Sequence, residues 1–529
     1  MNYLYLGDCH NVLKNEIADE SVDLIYIDPP FNSKRDYNIF FDSKEIQTQR
    51  IAFEDTWTLT NIQDSLAELN TLQTHKLYTL LTTYQDVAPH AFPYLVMMGL
   101  RILELHRVLK TTGSFYLHCD PTMSHYLKTV CDLIFGPKNF INEIIWKRTS
   151  AGKPIYRNLP KNNDTIFWYV KTDKYVYIPL REDLSKEDKA TFNLDDGDGR
   201  GAYNTQPIIN PGDRPNLKYI YKDMHGRKWN PPSRGWRFNE ERMRELEKDN
   251  RLYFTKNTIR EKYYLSERSL KGKQLSNIWT DIGIATINES LGYPTQKPKA
   301  LLERIIKASS NEGDIVLDAF CGCGTSIDAA EGLHRKWIGI DISPIAISLI
   351  KRRLKDSYKD SLSKFEVRGV PEDEPSAIRL WNENPFAFQD WWLTEFEVFS
   401  TTEGTKGADK GIDGIGQYLI GEDSFIRIAF QVKGGKVQSK DIDALIGVLS
   451  KHKCELGIFL TIEPPTKPML DTAAQQGFVE FPGFQFPRIQ IHTLKDFFAN
   501  KRPKLPATNI TFKAAQFKGK KSKQIDLGL

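Results

Sequence analysis

An apolar run, Ile25-Tyr26-Ile27, stops at Asp28-Pro29-Pro30-Phe31. Two successive prolines remove backbone donors and forbid both helix and sheet ladder. The chain must turn there, leaving a carboxylate and an aromatic ring at the end of a buried strand. That pairing suits a grip on the amino group of a nucleobase swung out of its helix. Asp28 and the Pro29 carbonyl would accept hydrogen bonds from the exocyclic amine, drawing its lone pair out of conjugation, while Phe31 stacks on the base. An ordinary strand and turn is the competing reading of the triplet alone.

A second centre follows the run Ile315-Val316-Leu317-Asp318, where Ala319-Phe320-Cys321-Gly322-Cys323-Gly324-Thr325 leads into a helix. A strand, a glycine loop and a helix let the backbone approach a nucleotide-like ligand closely. The usual dinucleotide fingerprint has a third glycine where this chain has Ile327, which argues against NAD. The next strand, Trp337-Ile338-Gly339-Ile340, ends in Asp341, placed to accept hydrogen bonds from ribose hydroxyls. Asp8, after the short strand Tyr3–Leu6, falls at the same sheet edge and reads equally as a cofactor contact or a helix N-cap. His118 and Asp120 close another strand and read as positioning residues, since an amine gripped by Asp28 needs no strong base to act as a nucleophile.

A third centre lies far downstream. Gly407-Ala408-Asp409-Lys410-Gly411-Ile412-Asp413-Gly414 makes a turn, and Ile426-Arg427-Ile428-Ala429-Phe430-Gln431-Val432-Lys433 is a strand with alternating faces. Gln431 and Lys433 share one face. With Asp413 beside them, Asp413 and the Gln431 side-chain oxygen would bind Mg2+, and Lys433 would steer a water and offset phosphate charge. An exposed hairpin with a chance Gln-Val-Lys is the alternative.

The elements that must position these residues alternate strand and helix, which implies a parallel α/β sheet. At 529 residues and 40% hydrophobic content the chain divides into more than one domain with real cores. We delimit a catalytic part at 1–146, a recognition region at 147–281 and a cofactor-binding part at 282–355. A linker follows at 356–384, then a second α/β domain at 385–500 and a basic tail at 501–529. Residues Asn32–Thr60 read as a loop over the substrate. In the recognition region Trp229, Arg234, Trp236 and Arg237 interleave rings and cations, as a surface for phosphates and bases would.

A net charge of +4 places any nucleic-acid surface locally rather than in bulk charge. Six cysteines without a leading hydrophobic segment indicate a reducing cytosol and no disulfide framework, and no stretch is apolar enough to span a bilayer. Cys321 and Cys323 lack a second ligand cluster and read as small loop residues.

Residues 1 to 355 resemble the beta-class amino DNA methyltransferases. Asp28–Phe31 match their Asp-Pro-Pro-aromatic motif, Thr295-Gln296-Lys297-Pro298 their Pro-Thr-Gln-Lys-Pro element, and Phe320–Gly324 their Phe-x-Gly-x-Gly cofactor loop. The resemblance implies a Rossmann-like sheet that binds S-adenosylmethionine, with a recognition region inserted. It implies adenine N6 of double-stranded DNA as target, with cytosine N4 or RNA as rivals, and Asp28, Pro29, Pro30 and Phe31 as catalytic residues. Asp8, Thr295, Lys297, Asp318, Phe320, Gly322, Gly324, Thr325 and Asp341 would serve the cofactor. Residues 385 to 500 resemble the Mrr-like branch of the PD-(D/E)xK endonucleases, implying a restriction-endonuclease-like α/β domain with Asp413, Gln431 and Lys433 as its site. Such a domain would either cut DNA with Mg2+ or only bind it. A fused restriction-modification enzyme of the cytoplasm, associated with DNA and compatible with a homodimer, is the resulting expectation.

Overall fold

The computed structural model describes residues 1–30, 37–43, 46–53, 62–71, 74–149, 159–286, 289–291, 293, 295–400, 412–420, 424–481, 484–509 and 523–524. Phe31 and residues 407–411 lie outside them, as does most of the basic tail.

Nine strands form the main sheet: β1 (Asn2–Leu6), β2 (Val22–Ile27), β3 (Leu109–Cys119), β4 (Phe140–Lys147), β5 (Asn163–Val170), β6 (Ile278–Trp279), β7 (Ile315–Asp318), β8 (Lys336–Asp341) and β9 (Phe365–Arg368). Their spatial order is β6-β4-β5-β3-β2-β7-β8-β1-β9. Every pairing is parallel except the two made by β5. The sequence accounts for this, because Leu24–Ile27, Val316 and Leu317 are buried whichever way they point, as parallel strands covered on both faces require. Helices α1 (Cys9–Glu16), α2 (Phe92–Val108) and α3 (Ser124–Phe135) share one core with Ile25, Ile27, Phe115 and Leu117. On the other face α4 (Lys299–Ser309) meets the sheet where the Tyr116 and Ser309 hydroxyls bond at 2.7 Å.

Register then lines up the chemistry. Leu24 and Ile25 pair with Val316 and Leu317, Asp318 pairs with Gly339, and Leu6 pairs with Asp341. The carboxyl ends of β2, β7, β8 and β1 therefore stop side by side, and Asp28, Asp318, Asp341 and Asp8 emerge along one edge. In open α/β sheets that edge takes the ligand. After β7 the chain enters α5 (Thr325–Gly332), and after β8 it enters α6 (Pro344–Tyr358).

Two stretches differ from the sequence reading. The linker expected at 356–384 contains β9, which pairs with β1, and α7 (Glu374–Glu383), whose Ala377 is buried. Its charge and proline mark a helix start: Asp373 and Ser376 form a capping box, with Pro375 in the first turn. Within the expected loop 32–60, Tyr37–Ser43 and Ile46–Phe53 pair as an antiparallel hairpin.

Pro179–Ser276 make a compact unit of their own, narrower than the expected 147–281 because β4, β5 and β6 join the main sheet. An antiparallel trio of strands (Tyr203–Pro207, Leu252–Phe254, Ile259–Tyr264) and the Asn239-capped helix Glu240–Lys248 frame its core. Trp229 and Trp236 belong to that core rather than to a stacking surface. The Trp229 indole donates to Asp223 Oδ2 at 2.9 Å, and that of Trp236 to the Tyr219 carbonyl at 2.8 Å. A unit with so little regular structure needs its largest side chains inside.

The C-terminal part is built on β10 (Gly414–Leu419), β11 (Ser424–Lys433), β12 (Leu456–Thr461) and β13 (Ile489–Thr493), paired in that order. β10 runs antiparallel to β11, and the later pairings are parallel. Helix α8 (Pro385–Thr394) packs Phe388, Trp391 and Trp392 against Ile428 and Phe430. On the opposite face α9 (Ser439–Lys451) and α10 (Lys467–Gln475) pack Ile442, Leu445 and Met469 against Ala429 and Phe459. All six cysteines are free and buried, and among the described residues no helix is long and apolar enough to cross a membrane.

Candidate active site

A cavity of about 540 Å3 opens at the aligned strand ends. Asp28, Pro29 and Pro30 line it from β2, Asp318, Phe320, Gly322 and Thr325 from the β7 turn, Asp341 from β8 and Asp8 from β1, with Thr295 and Lys297 completing the wall. Gly324 is the one described member of the expected cofactor set that does not line it. Its φ of +74° makes the turn, and a Cβ there would meet Ile350 Cγ1 of α6 at 2.6 Å. Gly322, at φ +50°, does face the cavity, and Tyr293 covers it so closely that a Cβ would meet the ring at 3.2 Å.

The two oxygens of Asp28 are used differently. Oδ2 accepts from Lys297 Nζ in an ion pair whose side chains are only 15% and 10% exposed. Oδ1 is buried and, among the described residues, has no hydrogen-bond partner. A buried acceptor left unpaired costs about 1–3 kcal/mol, so it marks a place where a donor is meant to arrive. Thr295 holds a left-handed φ of +65°, rare for a β-branched residue, and its carbonyl also accepts from Lys297 at 3.4 Å.

At the other end of the cavity Asp341 accepts from the Gly322 and Ser343 amides at 2.8 and 2.9 Å. Burial pushes its carboxyl up to about 6, against the pull of those amides. Asp318 accepts from the Phe320 amide at 3.0 Å and from the Ser326 hydroxyl, and burial raises it to about 7. Both acids are therefore poised to gain from a cation nearby. Asp8 is an N-cap that also faces the cavity. It caps α1 through the Asn11 amide at 3.2 Å and lines the cavity, paired with the buried Arg101.

His118 is not joined to Asp120. It lies between the Tyr26 hydroxyl at 2.9 Å and Asp164 at 3.1 Å, and Arg148 stands 3.1 Å from the same carboxylate. Asp120 turns back to the Thr122 and Met123 amides and closes the turn before α3. Side chains alternate along β3, so His118 points into the sheet while the residue after Cys119 has left it.

The third centre assembles on β11. The Asp413 amide donates to the Phe430 carbonyl at 2.9 Å, and Asp413 Oδ2 accepts from the Val432 amide at 2.7 Å, bracketing Gln431. Gln431 is buried, its Oε1 has no hydrogen-bond partner among the described residues, and Lys433 ends the strand. Among the described residues no group of three or more His, Cys, Asp or Glu side chains could hold a metal. Any ion here would rely on Asp413 and the neutral Gln431.

Comparison with known proteins agrees with this division. The N6_N4_Mtase model, described as DNA methylase, matches residues 22–352. The chain belongs to this family. A second model, Mrr_cat, described as restriction endonuclease, matches residues 389–481 of the methylase. Type II methyltransferase M.EcaI of Enterobacter cloacae is 33% identical over 282 residues, 51% of this chain and 59% of that protein. The StyLTI Mod subunit of a type III restriction-modification enzyme of Salmonella typhimurium is 28% identical over 460 residues, 82% of this chain and 64% of that protein. DNA adenine methyltransferase YhdJ of Escherichia coli K12 is 26% identical over 349 residues, 66% of this chain and 81% of that protein. The chain thus spans less than two thirds of the length of the first two relatives.

Several residues of the methylase site were invisible as a pattern. Arg101 sits mid-helix in α2, Tyr293 in an irregular segment, and Asp164 at the start of β5. An arginine within the apolar first half of α2 was the available signal.

Proposed function

We propose that the methylase transfers the methyl group of S-adenosylmethionine to adenine N6 in double-stranded DNA, and that its C-terminal part cuts DNA with Mg2+. The first half is carried by the divided use of Asp28, one oxygen held by Lys297 and the other buried and waiting. S-adenosylmethionine supplies an activated methyl group on a cationic sulfur. Gly322 lets the backbone approach such a ligand, Asp341 has lone pairs left for ribose hydroxyls, and Asp318 and Asp341 add charge complementary to a cation. Asp28 Oδ1 and the Pro29 carbonyl accept from the target amine and set its lone pair for attack. Lys297 keeps the carboxylate from turning away, and Phe31 supplies the stacking face.

Adenine is favoured by the aspartate that opens Asp-Pro-Pro and by the adenine specificity in the name of the Escherichia coli relative. The unit Pro179–Ser276 is the proposed DNA-recognition region. For the C-terminal part, the buried unpaired Gln431 Oε1 beside Asp413 supports a cation site, with Lys433 steering the attacking water. Methylation would then mark sites that the same cytoplasmic enzyme, alone or as a homodimer, otherwise cuts.

Purified protein is incubated with duplex DNA, Mg2+ and labelled S-adenosylmethionine, and the DNA is digested to nucleosides. Label in N6-methyladenine is the expected result, and label in N4-methylcytosine overturns the base assignment. Strand breaks that vanish on omission of Mg2+ are expected, and their absence leaves a DNA-binding role for the C-terminal part.

A further inference from the structure

We infer that the cofactor cavity is completed by Asn384, the last residue of the connecting stretch and the cap of the first helix of the C-terminal part, so that ligand binding at the S-adenosylmethionine site is coupled to that part. The inference rests on reading that cavity as the S-adenosylmethionine site. Asn384 caps α8, the helix whose Phe388, Trp391 and Trp392 anchor the C-terminal core. Yet Asn384 itself lines the cavity, with Asp28, Gly322 and Asp341. Its Oδ1 accepts from the Ala387 amide at 3.0 Å, and among the described residues its Nδ2 makes no hydrogen bond. That nitrogen is a donor presented to a polar ligand by a chain segment more than forty residues beyond the cofactor strand β8.

The segment is fixed at both ends. α8 lies along α6, the helix that follows Asp341, with Lys351 3.8 Å from Glu395 and Arg352 3.7 Å from Glu397. On the preceding helix, Trp381 covers Gly434 so tightly that a Cβ there would fall 2.2 Å from the indole. Gly434 directly follows Lys433 on β11. The α7–α8 hairpin thus reaches the cavity at Asn384 and the end of the Gln431–Lys433 strand at Trp381. A ligand that bonds Asn384 favours one placement of this hairpin, and by linkage the strand beneath Trp381 responds to the ligand.

The test is calorimetric titration of the full-length protein, wild type, Asn384→Ala and Asn384→Ser, with S-adenosylmethionine and separately with S-adenosylhomocysteine. Serine keeps the helix cap and removes the amide. Both variants should bind about tenfold more weakly, the loss of one hydrogen bond to a polar ligand. Hydrogen exchange at residues 381–397 and 430–434 should slow on ligand addition in the wild type and much less in either variant. Wild-type affinity in Asn384→Ser, or ligand-independent exchange across both segments in the wild type, overturns the inference. Failure of the wild type to bind either ligand overturns the cofactor reading itself.

Discussion

The cavity at the strand ends and the Asp413–Gln431 centre each hold a buried side-chain oxygen without a hydrogen-bond partner among the described residues, Asp28 Oδ1 in one and Gln431 Oε1 in the other. They differ in how charge is gathered round it. Register across β2, β7, β8 and β1 brings four aspartates to one edge, and Lys297 and Arg101 balance two of them. On β11 a single antiparallel pairing brings one carboxylate beside a neutral amide. A parallel sheet collects strand ends and so builds a deep, highly charged cavity. An antiparallel pair collects two neighbours, and the proposed Mg2+ would meet far less protein charge there.

The comparison can be broken most sharply at Asp28. Asp28→Ala should lower the methyl-transfer rate by about 10³-fold, roughly 4 kcal/mol of barrier, while calorimetry still detects S-adenosylmethionine. Undiminished transfer would remove Asp28 from the chemistry. Next, Lys433→Ala should cut Mg2+-dependent cleavage by about 10²-fold and leave methylation intact. Equal loss of both activities would point to a folding defect instead of a local one.

Lys297→Met strips the buried partner from Asp28. Denaturant unfolding should show a destabilisation of about 3 kcal/mol, and a change near zero would mean that the pair is open to solvent. A subtler contrast lies in pH. Asp341 and Asp318 titrate in the folded protein near 6 and 7, above the ordinary 3.8. Their contribution to stability without ligand is complete below about 4 and is lost as pH rises through about 7. Over the same window the ionised pair attracts a cation, so affinity for S-adenosylmethionine should rise about tenfold from pH 5.5 to 7.5, while that of S-adenosylhomocysteine, which lacks the sulfonium charge, stays flatter. Parallel slopes for both ligands would place these acids away from the sulfonium. The smallest effect belongs to Gln431→Glu, which should tighten Mg2+ binding about fivefold by supplying a charge. No change would place the ion elsewhere.

Much of the site was legible because its signals are local. Asp-Pro-Pro ends a strand wherever it occurs in an apolar run, and a glycine turn after a strand makes room for a ligand. Asp28, Asp318, Gly322 and Asp341 could therefore be named from short stretches. The partners of His118 could not be named from sequence, because Tyr26 and Asp164 reach it from other strands. Trp229 and Trp236 were misread because alternating rings and cations look alike whether the rings face water or a core. The supposed linker at 356–384 was hidden by a capped, proline-initiated helix that looks polar in sequence.

The sequence by itself determined the kind of fold, the order of its parts and the acids at the strand ends, because alternation of apolar runs, prolines and glycines acts over a few residues. Only the tertiary structure decided that Lys297 clamps Asp28, that Arg101 backs Asp8 and that Asn384 lines the cavity. Those contacts join residues tens to hundreds of positions apart. They follow from sheet register and helix packing, which no short stretch of chain encodes.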